Sequence, residues 1–277
     1  MPTAPKFADA PLSLSPLCEL EVPPLDLIDM VARAGFASVG FRILPAAPGG
    51  IAYPLAPPSE QAAVRAACKA TGVALLYAEL ISIVADTRPA DFLPLFETSA
   101  AIGIPRVLVA GDHPDTGLVT DHFAALCDLA RPYDLALDFE FMPFRAIADL
   151  ASAVTIVTDA KQSNGFVLVD ALHFSRSNSS LGQLRALDRR LLGTFQICDA
   201  PKVPPPRDQF MAEARTRRLL PGVGGLDLGA IMDALPADVP IGVEIPIAAQ
   251  YANLSPAERI ALLATSTRTY LSQRVSS

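Results

Sequence analysis

Carboxylate and amide side chains interrupt four apolar segments in the second half of the chain, each near the end of its segment. The segments are LDFEF, VLVDALH, FQICD and GVEIP, and the polar residues in them are Glu140, Asp170, Gln196 and Glu244. A carboxylate in an apolar segment is costly unless it is paired, hydrogen-bonded or bound to a metal. Three carboxylates and one amide form an all-oxygen set of the kind that Mg²⁺ or Mn²⁺ prefers. The pattern predicts one divalent metal ion held by these four residues.

Two of these residues also have structural explanations when each is taken alone. Glu140 is compatible with a strand end that faces solvent, and Asp170 is compatible with the cap of a following helix. Their occurrence at matching depths of neighbouring segments favours the metal site, because one site accounts for all of them. We expect Mn²⁺ or Mg²⁺, with Co²⁺ or Zn²⁺ as alternatives.

A histidine follows the second of these segments. His173 lies three residues after Asp170, where a turn could direct its side chain toward the same site. The near-neutral pKa of histidine suits proton transfer at physiological pH. We therefore expect His173 to handle protons together with a carboxylate, Glu140 or Glu244. The structural alternative is a turn histidine that is bonded to a backbone carbonyl.

Three other residues are predicted to contact a substrate. Arg42 ends an apolar segment, and its planar guanidinium could bind a carboxylate or a phosphate. Glu79 lies in the apolar run VALLYAELISI and could orient a substrate hydroxyl or pair with Arg42. Arg218 belongs to a basic cluster after the segment that contains Gln196, and such a cluster would suit an anionic substrate. The nearby PGVGG sequence at 221–225 favours a turn over a phosphate-binding loop.

These residues need elements that bring them to one place, and the chain alternates short apolar runs with helical patterns about eight times. The predicted strands are 12–18, 37–41, 73–80, 106–109, 135–141, 165–169, 191–197 and 241–245. The predicted helices are 25–34, 60–70, 89–102, 118–130, 146–160, 181–187, 226–235 and 256–271. This alternation predicts a parallel α/β fold, a (β/α)8 TIM barrel, as a single domain over residues 1–277. A doubly wound sheet would need a glycine-rich turn where SPLCE stands at 15–19.

Composition excludes several partners. The formal charge is -7, and no run of Lys and Arg exceeds a pair, which argues against nucleic acid and anionic membranes. The longest apolar run, 73–85, is shorter than the ~20 residues of a membrane span and contains a glutamate. The four cysteines have no metal-type spacing, which indicates free thiols in a reducing compartment. With no secretory signal visible, we expect a soluble cytoplasmic protein.

In order and spacing, these segments resemble the xylose isomerase-like barrels, which include sugar and sugar-phosphate isomerases and epimerases, ketoinositol dehydratase and 3-dehydroshikimate dehydratase. The resemblance runs from DLIDMVARAGFASVGFR through LDFEFMPF, VLVDALHFSRS, FQICDAP and RLLPGVGGLDL to IGVEIP. It implies that Glu140, Asp170, Gln196 and Glu244 bind the metal and that His173 stands beside the substrate. Many epimerases of the family have His where this chain has Gln196, whereas the dehydratases named are similar to it in having Gln.

These observations predict a metal-dependent lyase or isomerase that acts on a small polyhydroxylated carbonyl substrate. A proton would leave the carbon next to the carbonyl, and the metal would stabilise the resulting enolate. The glutamine favours dehydration of a 3-dehydroshikimate or ketoinositol type, and a sugar or sugar-phosphate isomerase or epimerase is the alternative. A sugar-binding barrel without catalysis and an apurinic endonuclease are disfavoured, the latter by three histidines and the acidic charge. The sequence does not decide between a monomer and a homo-oligomer.

Overall fold

Eight parallel strands close into a barrel in chain order, β1 to β8. The computed structural model describes residues 6–274. The strands are β1 Leu12–Leu14, β2 Ser38–Arg42, β3 Ala74–Ile83, β4 Arg106–Gly111, β5 Ala136–Glu140, β6 Gly165–Asp170, β7 Leu192–Ile197 and β8 Ile241–Val243. Each pairs with its neighbours in sequence, and β8 pairs with β1. The predicted (β/α)8 barrel is confirmed.

Helices follow the strands and cover the outside of the barrel. Their bounds are α1 Pro24–Arg33, α2 Pro58–Thr71, α3 Leu93–Ile102, α4 Thr116–Ala130, α5 Leu150–Ala160, α6 Ala171–Arg176, α7 Leu181–Ala186, α8 Phe210–Thr216, α9 Leu228–Ala234 and α10 Pro256–Gln273. Helices α2 and α3 end as the sequence indicates, since Gly72 and Gly103 adopt left-handed conformations with φ of 77° and 90°. Within residues 6–274, no helix is long and apolar enough to cross a membrane.

The first strand is shorter than predicted, and the difference concerns the site. β1 ends at Leu14, whereas the prediction extended to residue 18. Ser15 caps a 3-10 turn over Pro16–Glu19 by accepting a hydrogen bond from the Leu17 amide at 3.3 Å. Proline supplies no amide for the strand ladder, so the chain turns here. The turn leaves the Ser15 hydroxyl at the carboxyl end of the barrel.

Strand register sets the predicted site residues at one level. Asp170 on β6 pairs in register with Gln196 on β7, and Gln196 pairs with Gly242 on β8. Glu140 is the last residue of β5, and Glu244 directly follows β8. The carboxyl ends of all strands in a parallel barrel lie at the same face, which is where active sites of this fold lie. The four residues therefore share one end of the barrel.

Candidate active site

All four predicted metal ligands are buried at the carboxyl end of the barrel. Glu140 is 4% exposed, Glu244 is 5% exposed, and Asp170 and Gln196 are fully buried. The solvent-facing alternative for Glu140 is therefore wrong. A cavity of about 780 Å³ opens above them, and its lining includes Glu140, Glu244 and His173. This volume lies in the range of small-molecule sites.

Asp170 has both a capping role and a charged partner. Its Oδ1 accepts a hydrogen bond from the backbone amide of His173 at 2.9 Å, which caps helix α6. Its Oδ2 accepts a hydrogen bond from Arg218 Nη1 at 2.5 Å. Burial opposes the charge of Asp170, but Arg218 and His173 lower the pKa of its carboxyl below the ordinary value. The capping alternative is confirmed, and it occupies only one oxygen of the carboxylate.

The cap on Asp170 also places His173. The imidazole Nε2 lies 3.6 Å from Glu140 Oε1, and the ring packs edge-on against Phe144 with centroids 5.4 Å apart. Burial lowers the pKa of His173 to about 4, although Asp170 acts in the opposite direction. The imidazole is therefore neutral at physiological pH, which differs from the near-neutral pKa expected from the sequence. A neutral imidazole can donate from one nitrogen and accept, or bind a metal, with the other.

Arg218 bridges two of the predicted ligands. Its Nη1 donates to Asp170 Oδ2, and its Nη2 donates to Glu244 Oε2 at 2.8 Å. Burial opposes its charge, but Asp170, Cys198 and Glu244 raise the pKa of the guanidinium well above the ordinary value. The sequence predicts a substrate contact here. The structure places Arg218 in the cavity lining, with its side chain joined to the protein's own carboxylates.

Gln196 and Ser15 complete the surroundings of Glu244. Gln196 Nε2 donates to Glu244 Oε1 at 3.1 Å, and Ser15 Oγ donates to the same oxygen at 2.8 Å. Gln196 Oε1 is buried and has no hydrogen-bond partner among the described residues. A buried carbonyl oxygen without a donor is unfavourable unless a cation or water reaches it. Ser15 was not identified from the sequence, because its partners are separated from it by 64 and 229 residues.

Glu79 and Arg42 form an ion pair beside this group. Arg42 Nη2 donates to Glu79 Oε2 at 2.6 Å, and the two residues are register partners on β2 and β3. Ser15 Oγ lies 3.1 Å from Glu79 Oε1, so this hydroxyl stands between Glu79 and Glu244. The pairing suggested by the sequence is confirmed. Both side chains also line the cavity, where their predicted contact with substrate stays a prediction.

The cluster carries more negative than positive charge. The carboxylates are Glu79, Glu140, Asp170 and Glu244, and the guanidinium groups are Arg42 and Arg218. With all of them ionised, two negative charges are in excess. Burial raises the pKa of Glu140 well above the ordinary value, and Glu244 and Asp170 add to the effect. Burial also raises the pKa of Glu244 to about 7, against the opposing influence of Arg218. One divalent cation would balance the excess.

The donor atoms fit such an ion. One ligand atom each from Glu140, Asp170 and His173 lies within 4.8 Å of the other two. Gln196, the register partner of Asp170, offers a further oxygen, since its Oε1 has no hydrogen-bond partner among residues 6–274. The predicted set contained Gln196 and Glu244 and kept His173 as a proton carrier. In the structure Glu244 is directed to Arg218, Gln196 and Ser15, so the structure groups His173 with the first two carboxylates.

The segment between β7 and α9 carries Arg218 over the site. Asp199 accepts hydrogen bonds from four backbone amides, at Ala200, Gly222, Gly224 and Leu226. Three amides of the glycine-rich loop, residues 220–226, therefore point to Asp199, and the interpretation of PGVGG as a turn agrees with this geometry. On the same face, Arg176 on α6 and Glu213 on α8 form an ion pair with two hydrogen bonds, of 2.9 and 2.8 Å.

Most of the chain matches the model of a known protein family. The model of one family, described as xylose isomerase-like TIM barrel, matches residues 28–264. Inosose isomerase from Bacillus subtilis (strain 168) is 24% identical over 155 residues, which are 52% of this chain and 54% of that protein. The chain thus spans about half the length of this curated relative.

Solved structures share the fold over nearly the whole chain. The IOLI protein with a bound zinc atom superposes with a TM-score of 0.80 at 19% identity, covering 96% of this chain and 100% of that one. D-psicose 3-epimerase from Clostridium cellulolyticum H10 gives 0.73 at 14% identity, covering 94% and 99%. 3-Keto-D-glucoside 4-epimerase from E. coli gives 0.69 at 18% identity, covering 92% and 98%. At these identities, the likeness shows a shared fold.

Proposed function

The chain belongs to the family of xylose isomerase-like TIM barrels, and from this premise we propose that it is a metal-dependent isomerase or epimerase of a small polyhydroxylated carbonyl compound. The observation that carries the proposal is the buried carboxylate cluster, in which Glu140, Asp170 and His173 offer ligand atoms within 4.8 Å. Inosose isomerase and the two sugar epimerases, to which the chain is similar, act on substrates of this class by name.

Glu140, Asp170 and Gln196 would hold the ion, together with Glu244 or His173 as the fourth protein ligand. Carboxylate and amide oxygens favour Mn²⁺ or Mg²⁺, and the histidine extends the choice to Co²⁺ or Zn²⁺. When bound, the ion would supply a Lewis acid that polarises the substrate carbonyl and stabilises the enolate charge.

The chain's own residues would move the proton. Glu140 Oε1 and His173 Nε2 lie 3.6 Å apart in the cavity lining. Glu244 lines the same cavity from the end of β8. A substrate carbon placed between this pair and Glu244 would have groups on two sides that can accept or donate a proton, as both isomerisation and epimerisation require. Glu79 and Arg42, also in the lining, would orient substrate hydroxyls. A substrate that filled the cavity would exclude competing water.

Dehydration is the second candidate, and Gln196 is the observation that favours it. The first step, removal of a proton next to the carbonyl, is the same for all three reactions. The enolate then either regains a proton, which gives an isomer or epimer, or expels a β-hydroxyl, which gives the dehydrated product. The buried carboxylates and His173 favour the shared step, and the similarity to inosose isomerase favours reprotonation.

Metal binding is tested by replacing Glu140 with Gln, which keeps the shape of the side chain and removes its charge. We expect Glu140→Gln to lower Mn²⁺ affinity by about 100-fold or more in titration calorimetry, because the variant loses a charged ligand in a buried site. Glu97→Gln is the control, since Glu97 lies exposed on α3. Equal Mn²⁺ affinity in both variants would refute the metal site.

The reaction is tested by incubation with inososes, ketohexoses and 3-dehydroshikimate in deuterated water with Mn²⁺. An isomerase or epimerase places deuterium on the carbon that receives the proton, and its product keeps every oxygen of the substrate. A dehydratase gives an unsaturated product with new ultraviolet absorbance. Absence of both signals with all three substrate classes, in protein that binds Mn²⁺, would contradict the proposed substrate class.

His173→Ala separates two roles of this residue. If His173 carries protons, turnover falls by about 100-fold or more while Mn²⁺ stays bound. If it is the fourth ligand, Mn²⁺ affinity falls as well. Turnover at the parent rate would remove His173 from the mechanism.

A further inference from the structure

The guanidinium of Arg218 occupies an unusual position in this cluster. Its side chain is 1% exposed, and its Nη1 and Nη2 atoms donate to Asp170 and Glu244, at 2.5 and 2.8 Å. Its Nε donates to the Ala214 carbonyl at 2.8 Å. Arg218 is therefore a positive charge placed between two of the predicted metal ligands.

Arg218 holds the oxygens that an ion would use. Glu244 Oε1 already accepts hydrogen bonds from Ser15 and Gln196, so the Glu244 oxygen with a lone pair left for an ion is Oε2, which also accepts the hydrogen bond from Arg218. Asp170 Oδ1 caps α6, and Arg218 holds Oδ2. Arg218 lines the cavity together with Glu140 and His173, whereas Asp170 is fully buried and is not part of the lining.

The backbone around Arg218 has hydrogen bonds that do not involve its guanidinium. The Arg218 carbonyl accepts a hydrogen bond from Gln250 Nε2 at 3.1 Å. The next residue, Leu219, exchanges two backbone hydrogen bonds with Asp199 at 2.8 and 2.9 Å. Helix α8 is bound to α6 by the separate ion pair between Glu213 and Arg176. These contacts would hold the segment in place if the guanidinium moved.

We propose that Arg218 is a built-in counter-cation that holds Asp170 and Glu244 before a divalent ion binds, competes with that ion for their oxygens, and so sets a reduced metal affinity. This role rests on the proposed metal-dependent function. Two like charges a few ångströms apart in a buried site repel strongly, so the ion must move the guanidinium or bind against its charge. Metal loading then frees Arg218 to turn into the cavity, where a guanidinium could bind a substrate oxygen.

Calorimetric titration of metal-stripped protein with Mn²⁺ tests this competition. We expect Arg218→Met, which keeps length and removes charge, to bind Mn²⁺ at least about tenfold more tightly than the parent. Arg218→Lys, which keeps the charge, should stay near the parent affinity. Arg42→Met is the matched control, because Arg42 is a buried cavity arginine that pairs with Glu79 and not with a predicted ligand. It should change the affinity much less than Arg218→Met.

Tighter binding distinguishes competition from structural support, because damage to a scaffold weakens a metal site. Parent protein that binds Mn²⁺ while a folded Arg218→Met binds it equally or less tightly overturns the proposal and leaves the metal site standing. An equal gain in Arg42→Met overturns it too, since the effect would then be one of overall charge. Failure of every protein to bind Mn²⁺ overturns the proposed function and this inference together.

A second measurement uses the parent protein, in case Arg218→Met does not fold. Nitrogen-15 NMR of arginine side chains, with the Arg218 signal assigned through Arg218→Lys, should show that signal moving when Mg²⁺ or Zn²⁺ is added. The Arg106 signal is the internal control, because Arg106 is bound to Asp138 near the opposite end of the strands. An Arg218 signal that stays fixed while the metal binds would overturn the competition.

Discussion

The ion pair between Arg176 and Glu213 should be a major determinant of stability on the site face. Both side chains are 3% exposed, and two hydrogen bonds of 2.9 and 2.8 Å join them. Arg176 Nη2 also donates to the Pro201 carbonyl at 2.7 Å. Glu213→Ala would leave the guanidinium charge buried with that single partner. Breaking a buried pair in this way costs about 3–5 kcal/mol of unfolding free energy.

Chemical denaturation of the purified variant measures the change. For a chain of this size, the loss corresponds to a decrease in Tm of about 10 °C. The double replacement Arg176→Met with Glu213→Leu removes both charges, and we expect it to recover most of the loss, because no charge is then left unpaired. Arg190→Ala is the exposed control, since its pair with Asp188 lies in solvent, and it should have no measurable effect.

Two results would contradict this role of the ion pair. Glu213→Ala with parental stability would mean that water reaches the Arg176 guanidinium, so that the pair is not effectively buried. A double variant as unstable as the single one would mean that the loss comes from packing between α6 and α8 and not from an unpaired charge. Circular dichroism of each variant at low denaturant confirms that the compared states are folded.

Three further predictions concern the scaffold. Gly193→Ala should lower the unfolding free energy by about 3 kcal/mol or prevent folding, because its Cβ would lie 2.2 Å from Asp138 Oδ1; Gly229→Ala, with nothing within 4 Å, is the control and should not destabilise the protein. Asp199→Ala should speed proteolysis of the glycine-rich loop, because it removes the carboxylate that accepts hydrogen bonds from three amides of the loop. An unchanged cleavage rate would mean that Asp199 does not hold the loop. Cys68 should react first with a thiol reagent in folded protein, because burial raises the pKa of the three buried thiols more strongly; equal rates for all four would contradict this order.

The alternation of strands and helices was predictable because it is local. Each βα unit carries its own hydrophobic period, and the eight strands were found where the apolar runs indicated. Strand ends were less predictable. At β1 the sequence LSLSPLC alternates Leu with Ser as a strand would, yet Pro16 and the Ser15 cap end the strand after Leu14. Apolar composition indicates burial, and the hydrogen-bonding capacity of single residues decides where a strand stops.

The position of the site was predictable from polar residues in apolar strands, but the partners of those residues were not. Asp199 has the same sequence signature as Asp170, one strand later, and yet it organises a loop through four amide bonds. Arg218 and Asp170 are 48 residues apart, and Ser15 and Glu244 are 229 apart. No periodicity encodes such pairs, because barrel closure and loop geometry create them.

The same geometry gives a physical meaning to glutamine at position 196. With its Nε2 donating to Glu244 Oε1, the amide plane directs Oε1 to the other side, where it is buried without a partner among the described residues. Glu244 thus orients Gln196 much as a carboxylate orients a metal-binding histidine, but here the atom presented is a neutral, hard oxygen. A histidine at this position would present a nitrogen and favour softer ions. Gln196 is neutral, so the negative charge around it comes from Asp170, Glu140 and Glu244, and the Arg218 guanidinium lies between two of them.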